Sequence, residues 1–216
     1  MKNSKRKTYN YHPYINDWMR SVEQGKVHAC KEIKQLMPLI RKTLDDINIE
    51  FRAEHVEEYV RITEKYFFKL IPDQKFYASL ILSLFYKDNG QLVFPTVFLM
   101  AGRGWGKNGF ISTLTNYMIN EHHGIKKYAV DIVATSEEQA MTSFNEVYEF
   151  IEDLGEKGKR IYDYNKTQIT NRKTRSTLKF RTSNAKTKDG GRPGWGIVTG
   201  KQIGRASCRE RVSSPV

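Results

Sequence analysis

An apolar run, a glycine-rich turn and a helical pattern follow one another without a break in Phe98-Leu-Met-Ala-Gly-Arg-Gly-Trp-Gly-Lys-Asn-Gly-Phe110. That order suits a phosphate-binding loop. Backbone N–H groups and a helix N-terminus surround an anion there, and a lysine at the end of the turn reaches its outer oxygens. The usual pattern is G-x-x-x-x-G-K-[ST]. Ala101 stands where the first glycine would be, Gly106 and Lys107 match, and Asn108 replaces the hydroxyl residue that normally holds magnesium. On these residues alone, a glycine turn that merely joins a strand to a helix fits equally well.

The 216 residues suffice for one domain with an arm and a real core. A hydrophobic share of 39% with 12% aromatics marks a folded chain rather than a disordered one. The net charge of +12 favours polyanionic partners. Cys30 and Cys208 are the only cysteines, which excludes a disulfide framework or a cysteine metal cluster and fits a reducing compartment. No apolar run approaches the roughly 20 residues that cross a bilayer, so no membrane role is expected. The basic start, Met1 to Lys7, leads into polar aromatic sequence and is not a signal peptide.

Along the chain, residues 1–44 read as an arm of short helices. Ile15, Met19 and Val22, then Ile33, Leu36 and Ile40, recur at helical spacing, with Gly25 as the break. Helical patterns follow from Val56 to Phe68 and from Gln74 to Tyr86, the second with Asp73 as N-cap. Thr96 to Met100 is a strand into the glycine loop, and Asn108 to Asn120 a helix with Ile111, Leu114 and Met118 on its core face. Tyr128 to Ala134 is a second strand. Thr135 with Glu138 and Ser136 with Gln139 form overlapping capping boxes for the next helix. Its core face is Ala140, Phe144, Val147, Ile151 and Leu154, and Gly155 suits the residue just past its end. Gln168 to Thr170 and Ser176 to Arg181 read as short strands around an Asn171–Thr174 turn. Alternating strand and helix behind a phosphate loop predicts an α/β fold: a P-loop NTPase-like parallel sheet flanked by helices.

Four segments, in order, resemble one family. They are Leu70-Ile-Pro-Asp-Gln-Lys-Phe76, Gly102-Arg-Gly-Trp-Gly-Lys107, Val133-Ala-Thr-Ser-Glu-Glu-Gln-Ala140 and Lys186-Thr-Lys-Asp-Gly-Gly-Arg-Pro-Gly194. Together they resemble the N-terminal ATPase domain of the large terminase subunit of tailed bacteriophages, over roughly residues 15–194. The resemblance implies an ATP hydrolase that uses ATP and Mg2+ to drive viral DNA into a capsid. It also implies double-stranded DNA, the terminase small subunit and the portal protein as partners, a ring of copies, and the cytoplasm of a bacterial host as location. By the same resemblance Gln74 faces the adenine, although Asp73 stands where the family usually has tryptophan. Ala101, Gly102, Arg103, Gly104, Trp105, Gly106, Lys107 and Asn108 form the nucleotide loop. Lys107 bridges the β- and γ-phosphates, and Arg103 either stabilises the γ-phosphate or is an ordinary surface arginine. Asn108 can offer an amide oxygen to magnesium, a weaker anchor than a hydroxyl, and Trp105 packs over the loop.

The pattern departs from the family after Pro193-Gly194, where an apolar strand ending in Asp-Glu is expected. The chain reads Trp195-Gly-Ile-Val-Thr-Gly-Lys201 instead. Asp131 precedes the capped helix and reads as a strand residue, and Glu152 and Asp153 read as solvated. Ile203 to Val212 lacks periodicity and resembles the translation of sequencing-adapter DNA. That implies a non-native tail over 203–216 without stable contacts, a partial ATPase domain over 45–202, and an incomplete sheet. From Asn171 to Arg192 eight Lys and Arg face the single Asp189. Arg172, Lys173 and Arg175 are therefore candidates for sequence-independent DNA-backbone contacts, a solvated basic hairpin being the other reading. No spacing supports base-specific reading. Two other functions stay open: a helicase-like or chaperone-like P-loop ATPase, and a non-catalytic nucleotide- or DNA-binding module.

Overall fold

The computed structural model describes residues 11–134, 136–182, 194–201 and 208–213. The chain divides into two compact units, Met1–Val56 with Leu70–Val93, and Glu57–Lys69 with Phe94–Val216. The arm expected over 1–44 thus shares its unit with later segments.

In the first unit, helix α1 (Pro13–Glu23) starts with proline at its first turn, where no N–H is needed, and buries Ile15, Met19 and Val22 as one stripe. Gly25, at φ +67°, ends it. Helix α2 (Lys31–Leu44) buries Met37 and Ile40, while Ile33 and Leu36 are only half-buried. Strand β1 (Ile49–Phe51) and helices α3 (Ala53–Tyr66) and α4 (Pro72–Leu82) follow. The helix expected to run to Tyr86 stops at Leu82, because Leu84–Tyr86 forms strand β2, antiparallel to β1. A continuous apolar run such as Leu80 to Tyr86 carries no period of its own, so pairing decides it. Asp73 is not the N-cap. Ile71 holds that position with Pro72 after it, and the Asp73 carboxylate accepts the Gln74 N–H at 2.9 Å.

The second unit is built on a seven-stranded sheet ordered β3-β9-β8-β4-β7-β6-β5. Its strands are β3 (Thr96–Ala101), β4 (Ala129–Ala134), β5 (Tyr162–Tyr164), β6 (Gln168–Asn171), β7 (Thr177–Thr182), β8 (Trp195–Lys201) and β9 (Cys208–Ser213). Strands β4, β7 and β8 are mutually parallel neighbours, and β3 runs the same way, since both it and β8 are antiparallel to β9. The α/β class holds. The sheet is mixed rather than wholly parallel, with β9 and β6 reversed and β5, antiparallel to β6, running with the others.

Helices α5 (Lys107–Ile119) and α6 (Glu137–Asp153) pack against each other and against β4 and β7, where Val130, Ile132 and Leu178 are buried; Leu99, Trp195 and Ile197 are the buried residues of β3 and β8. The Phe144 ring of α6 meets Phe180 edge-on at 5.1 Å. Phe98, Met100 and Val198, at the alternate positions, are exposed. Helix α5 is buried from Phe110 to Ile119 on every side rather than on one face. Its hydroxyls tolerate this by bonding back along the helix, Ser112 to Asn108 O at 2.8 Å and Thr115 to Ser112 O at 2.9 Å. Thr113 shares a 2.9 Å hydrogen bond with the buried Tyr59 phenol of α3, whose pKa burial pushes up. Helix α6 starts as expected, with Ser136 Oγ accepting the Gln139 N–H at 3.4 Å. Thr135, expected to cap with it, lies outside the described residues. Gly155 takes the positive φ expected after α6 and also opens an unforeseen short helix, α7 (Glu156–Ile161).

Where an open sheet edge and a tail without stable contacts were expected, Cys208–Ser213 forms β9; residues 203–207 and 214–216 lie outside the described residues. After Gly194, β8 alternates buried Trp195 and Ile197 with exposed Val198, and β9 fills the slot between β8 and β3. Two strand edges that face each other present unpaired N–H and C=O groups, and an extended backbone of almost any sequence can satisfy them.

Candidate phosphate-binding site

Five strands that run the same way end on one edge of the sheet, at Ala101, Lys201, Ala134, Thr182 and Tyr164. The glycine loop lies on this edge, the carboxyl end where α/β sheets place ligands. Gly104 and Gly106 both have φ +85°, a left-handed backbone that glycine adopts without a Cβ penalty. Gly106 is the N-cap of α5 and puts Lys107 at the first helical position. A Cβ built on Gly102 or Gly104 would meet no heavy atom within 4 Å. The space over this backbone is open, as close approach by an anion requires.

The helical ladder begins with the Phe110 N–H donating to Gly106 O at 2.9 Å. Groups ahead of it cannot bond within the helix. Trp105 is half-buried and meets Phe110 edge-on at 5.2 Å, so it fastens the loop to α5. Arg103 and Asn108 are exposed, and Ala101 closes β3. Gly109 answers a packing need: a Cβ there would lie 2.8 Å from the Phe68 ring.

Gln74 belongs to the other unit. It is buried, and its Oε1 accepts the Ile71 N–H at 3.2 Å, which makes it part of the start of α4. Asp131 lies in mid-strand at 6% exposure, its carboxylate 2.6 Å from the Arg181 guanidinium on β7. That ion pair accounts for the buried acid as a cross-strand tie.

The basic turn stands elsewhere. Residues 171–176 precede β7, so they sit at the opposite edge of the sheet from the glycine loop, about 20 Å away along a six-residue strand. The buried Asn171 Oδ1 accepts the N–H groups of Lys173 and Thr174 at 2.9 and 3.1 Å. Arg172 Nε is within 3.1 Å of Lys159 O and 3.3 Å of Tyr162 O, and its guanidinium lies 3.7 Å from Asp163. Lys173 pairs with Glu121 at 2.5 Å and holds that carboxyl below its usual range. Arg175 is exposed at φ +62°. Lys126 and Lys127, which the sequence reading passed over, stand beside this turn: the Lys127 N–H donates to Thr174 O at 2.8 Å. The adjacent lysines just ahead of the Tyr128 strand were the available signal.

No family model matches the sequence, and no curated protein is significantly similar to it. Among solved structures, the fold is similar to that of the large terminase of bacteriophage HK97, with a TM-score of 0.53 and 19% identity. The likeness covers 69% of this chain and 31% of that one, so the chain spans less than a third of the terminase's length. The fold is terminase-like. Among the described residues no helix is long and apolar enough to cross a membrane.

Proposed function

We propose that the chain is a nucleotide-binding domain of the terminase ATPase type, which takes MgATP at the loop after β3. The observation that carries this reading is Gly106, left-handed and capping α5 directly before Lys107, in a loop whose Gly102 and Gly104 lie under open space. The bound nucleotide supplies the phosphoryl group, and its phosphates bring the magnesium ion. Lys107 would bridge the β- and γ-phosphates while the loop N–H groups from Gly104 to Asn108 surround the β-phosphate. Arg103 would meet charge that develops on the γ-phosphate, and the Asn108 amide oxygen would be the protein's donor toward the hydrated ion. Among the described residues there is no group of three acidic, histidine or cysteine side chains that could hold a metal ion.

Strand β8 ends on the same edge of the sheet, with β9 between it and the loop strand, yet its sequence ends in Thr199-Gly200-Lys201, without the acid pair that positions water and metal. The reading is therefore tight binding with slow hydrolysis. In the packaging role that the terminase-like fold supports, the partners would be duplex DNA, a small terminase subunit and a portal, with copies arranged in a ring inside a bacterial host. Isothermal titration with ATP and ADP tests the site. Lys107→Ala should lower affinity at least tenfold, since a charged hydrogen bond contributes about 1.5–3 kcal/mol. Equal affinity in the variant would refute the loop assignment, and rapid turnover would refute the slow-hydrolysis reading.

A further inference from the structure

The edge of the sheet opposite the glycine loop presents a second charged surface. Two backbone segments are tied together there: the Lys127 N–H donates to Thr174 O at 2.8 Å, and Ser176 Oγ donates to Ile125 O at 3.2 Å while accepting the Tyr128 N–H at the same distance. Asn171, Thr174 and Ser176 are buried beneath, so the platform is held from inside. Five cations stand on it: Lys126, Lys127, Arg172, Lys173 and Arg175, all exposed. Two of them are engaged by the fold. Arg172 bonds to main-chain carbonyls and lies near Asp163, and Lys173 is neutralised by Glu121.

For Lys126, Lys127 and Arg175 the described residues offer no counter-ion. Two of these three also sit in left-handed backbone, Lys127 at φ +57° and Arg175 at φ +62°, where glycine or asparagine would be easier to accommodate. Long cationic side chains on a braced platform, two of them at left-handed positions and none with a counter-ion among the described residues, mark a surface made to meet external negative charge.

We propose that Lys126, Lys127 and Arg175 form a contact surface for the phosphodiester backbone of duplex DNA, separate from the nucleotide site and at the other edge of the sheet. The choice of DNA over other polyanions rests on the terminase-type reading above. The charge geometry itself does not depend on that reading. Among the described residues, 125–128 and 171–176 supply no helix to enter a groove, so binding is independent of base sequence.

The test is fluorescence anisotropy of the full chain with a 30-base-pair duplex of random sequence, across a salt series. The variant Lys126→Gln/Lys127→Asn/Arg175→Asn removes three charges while suiting the left-handed positions, so its melting temperature should not fall. Each lost phosphate contact lowers the slope of log affinity against log salt by about 0.9, which gives a drop of roughly 2–3. The control is Lys166→Gln, an exposed lysine in the turn between β5 and β6, at the glycine-loop edge; it should leave the slope unchanged. An unchanged slope in a folded triple variant overturns the proposal. So does an equal drop with Lys166→Gln, absence of duplex binding by the parent chain at low salt, or charge-dependent binding to anionic lipid vesicles without binding to DNA. ATP titration of the parent chain separates the two readings. Charge-dependent DNA binding without ATP binding would leave the surface standing and remove the ATPase assignment.

Discussion

At the loop after β3 the left-handed backbone positions are glycines, Gly104 and Gly106; at the opposite edge of the same sheet they are Lys127 and Arg175. One edge meets the conformational demand by removing the side chain, and at Gly104 what remains is bare backbone under open space. The other accepts the steric cost of a Cβ and braces it with a buried asparagine that gathers two N–H groups. Glycine suits a place where something must come close to the main chain. A strained lysine or arginine suits a place where the side chain itself does the contacting. On the readings proposed above, both edges would meet anions, by different means.

The largest effect that would break this contrast is at Gly106. Gly106→Val puts a branched side chain at φ +85° over the helix start, and it should abolish measurable ATP binding in calorimetry while costing about 1–2 kcal/mol of stability. Retained affinity would mean that the backbone is not the ligand-facing surface. At the other edge, Asn171→Ala leaves the N–H groups of Lys173 and Thr174 without their acceptor. It should lower the stability measured by urea unfolding by about 1–3 kcal/mol at unchanged m-value. Nucleotide affinity should stay the same.

A smaller pair of substitutions should carry opposite signs in otherwise equivalent conformations. Gly104→Ala destabilises by about 1 kcal/mol, and Lys127→Asn stabilises by a few tenths of a kcal/mol. Thermal melts of the two against the parent chain decide it, and equal signs would show that the two edges do not differ in strain. The smallest effect concerns acid. Lys173 holds the Glu121 carboxyl below its usual range, so its unfolded form takes up a proton first as pH falls. The pair's contribution is complete above the unfolded carboxylate pKa and is lost as pH drops through the folded one. Because Glu121 is exposed, this amounts to about 0.5 kcal/mol or less. Glu121→Gln should slightly flatten the acid limb of stability against pH, whereas residues 101–108 carry no carboxylate to respond.

Much of this was readable beforehand where local chemistry dictates structure. The β3–loop–α5 junction, the Ser136 cap and the Asn171 turn depend on residues within a few positions of one another, and each formed where its residues pointed. Leu84–Tyr86 was not readable, because its strand exists only through pairing with Ile49–Phe51 some 35 positions earlier. Helix α7 was hidden by Gly155 and Gly158. The second of these is forced by packing, since a Cβ there would lie 2.2 Å from Ile151 O. The ion pair of Asp131 with Arg181 needs the β4–β7 register, which no single segment encodes. Strand β9 follows from the backbone demand of its neighbours more than from its own residues. As for the site, the loop was legible in the spacing of its glycines. That Arg172 and Lys173 serve the fold could be seen only with their partners in place.

The close approach at Gly109 has a mechanical side. No methyl group fits between the first turn of α5 and the Phe68 ring, and after Lys69 the chain leaves for the other unit at Leu70. The start of α5 cannot advance toward Phe68 without displacing it. Any movement of the glycine loop's helix in that direction is thus carried by a single aromatic ring, as a thumb presses on a latch.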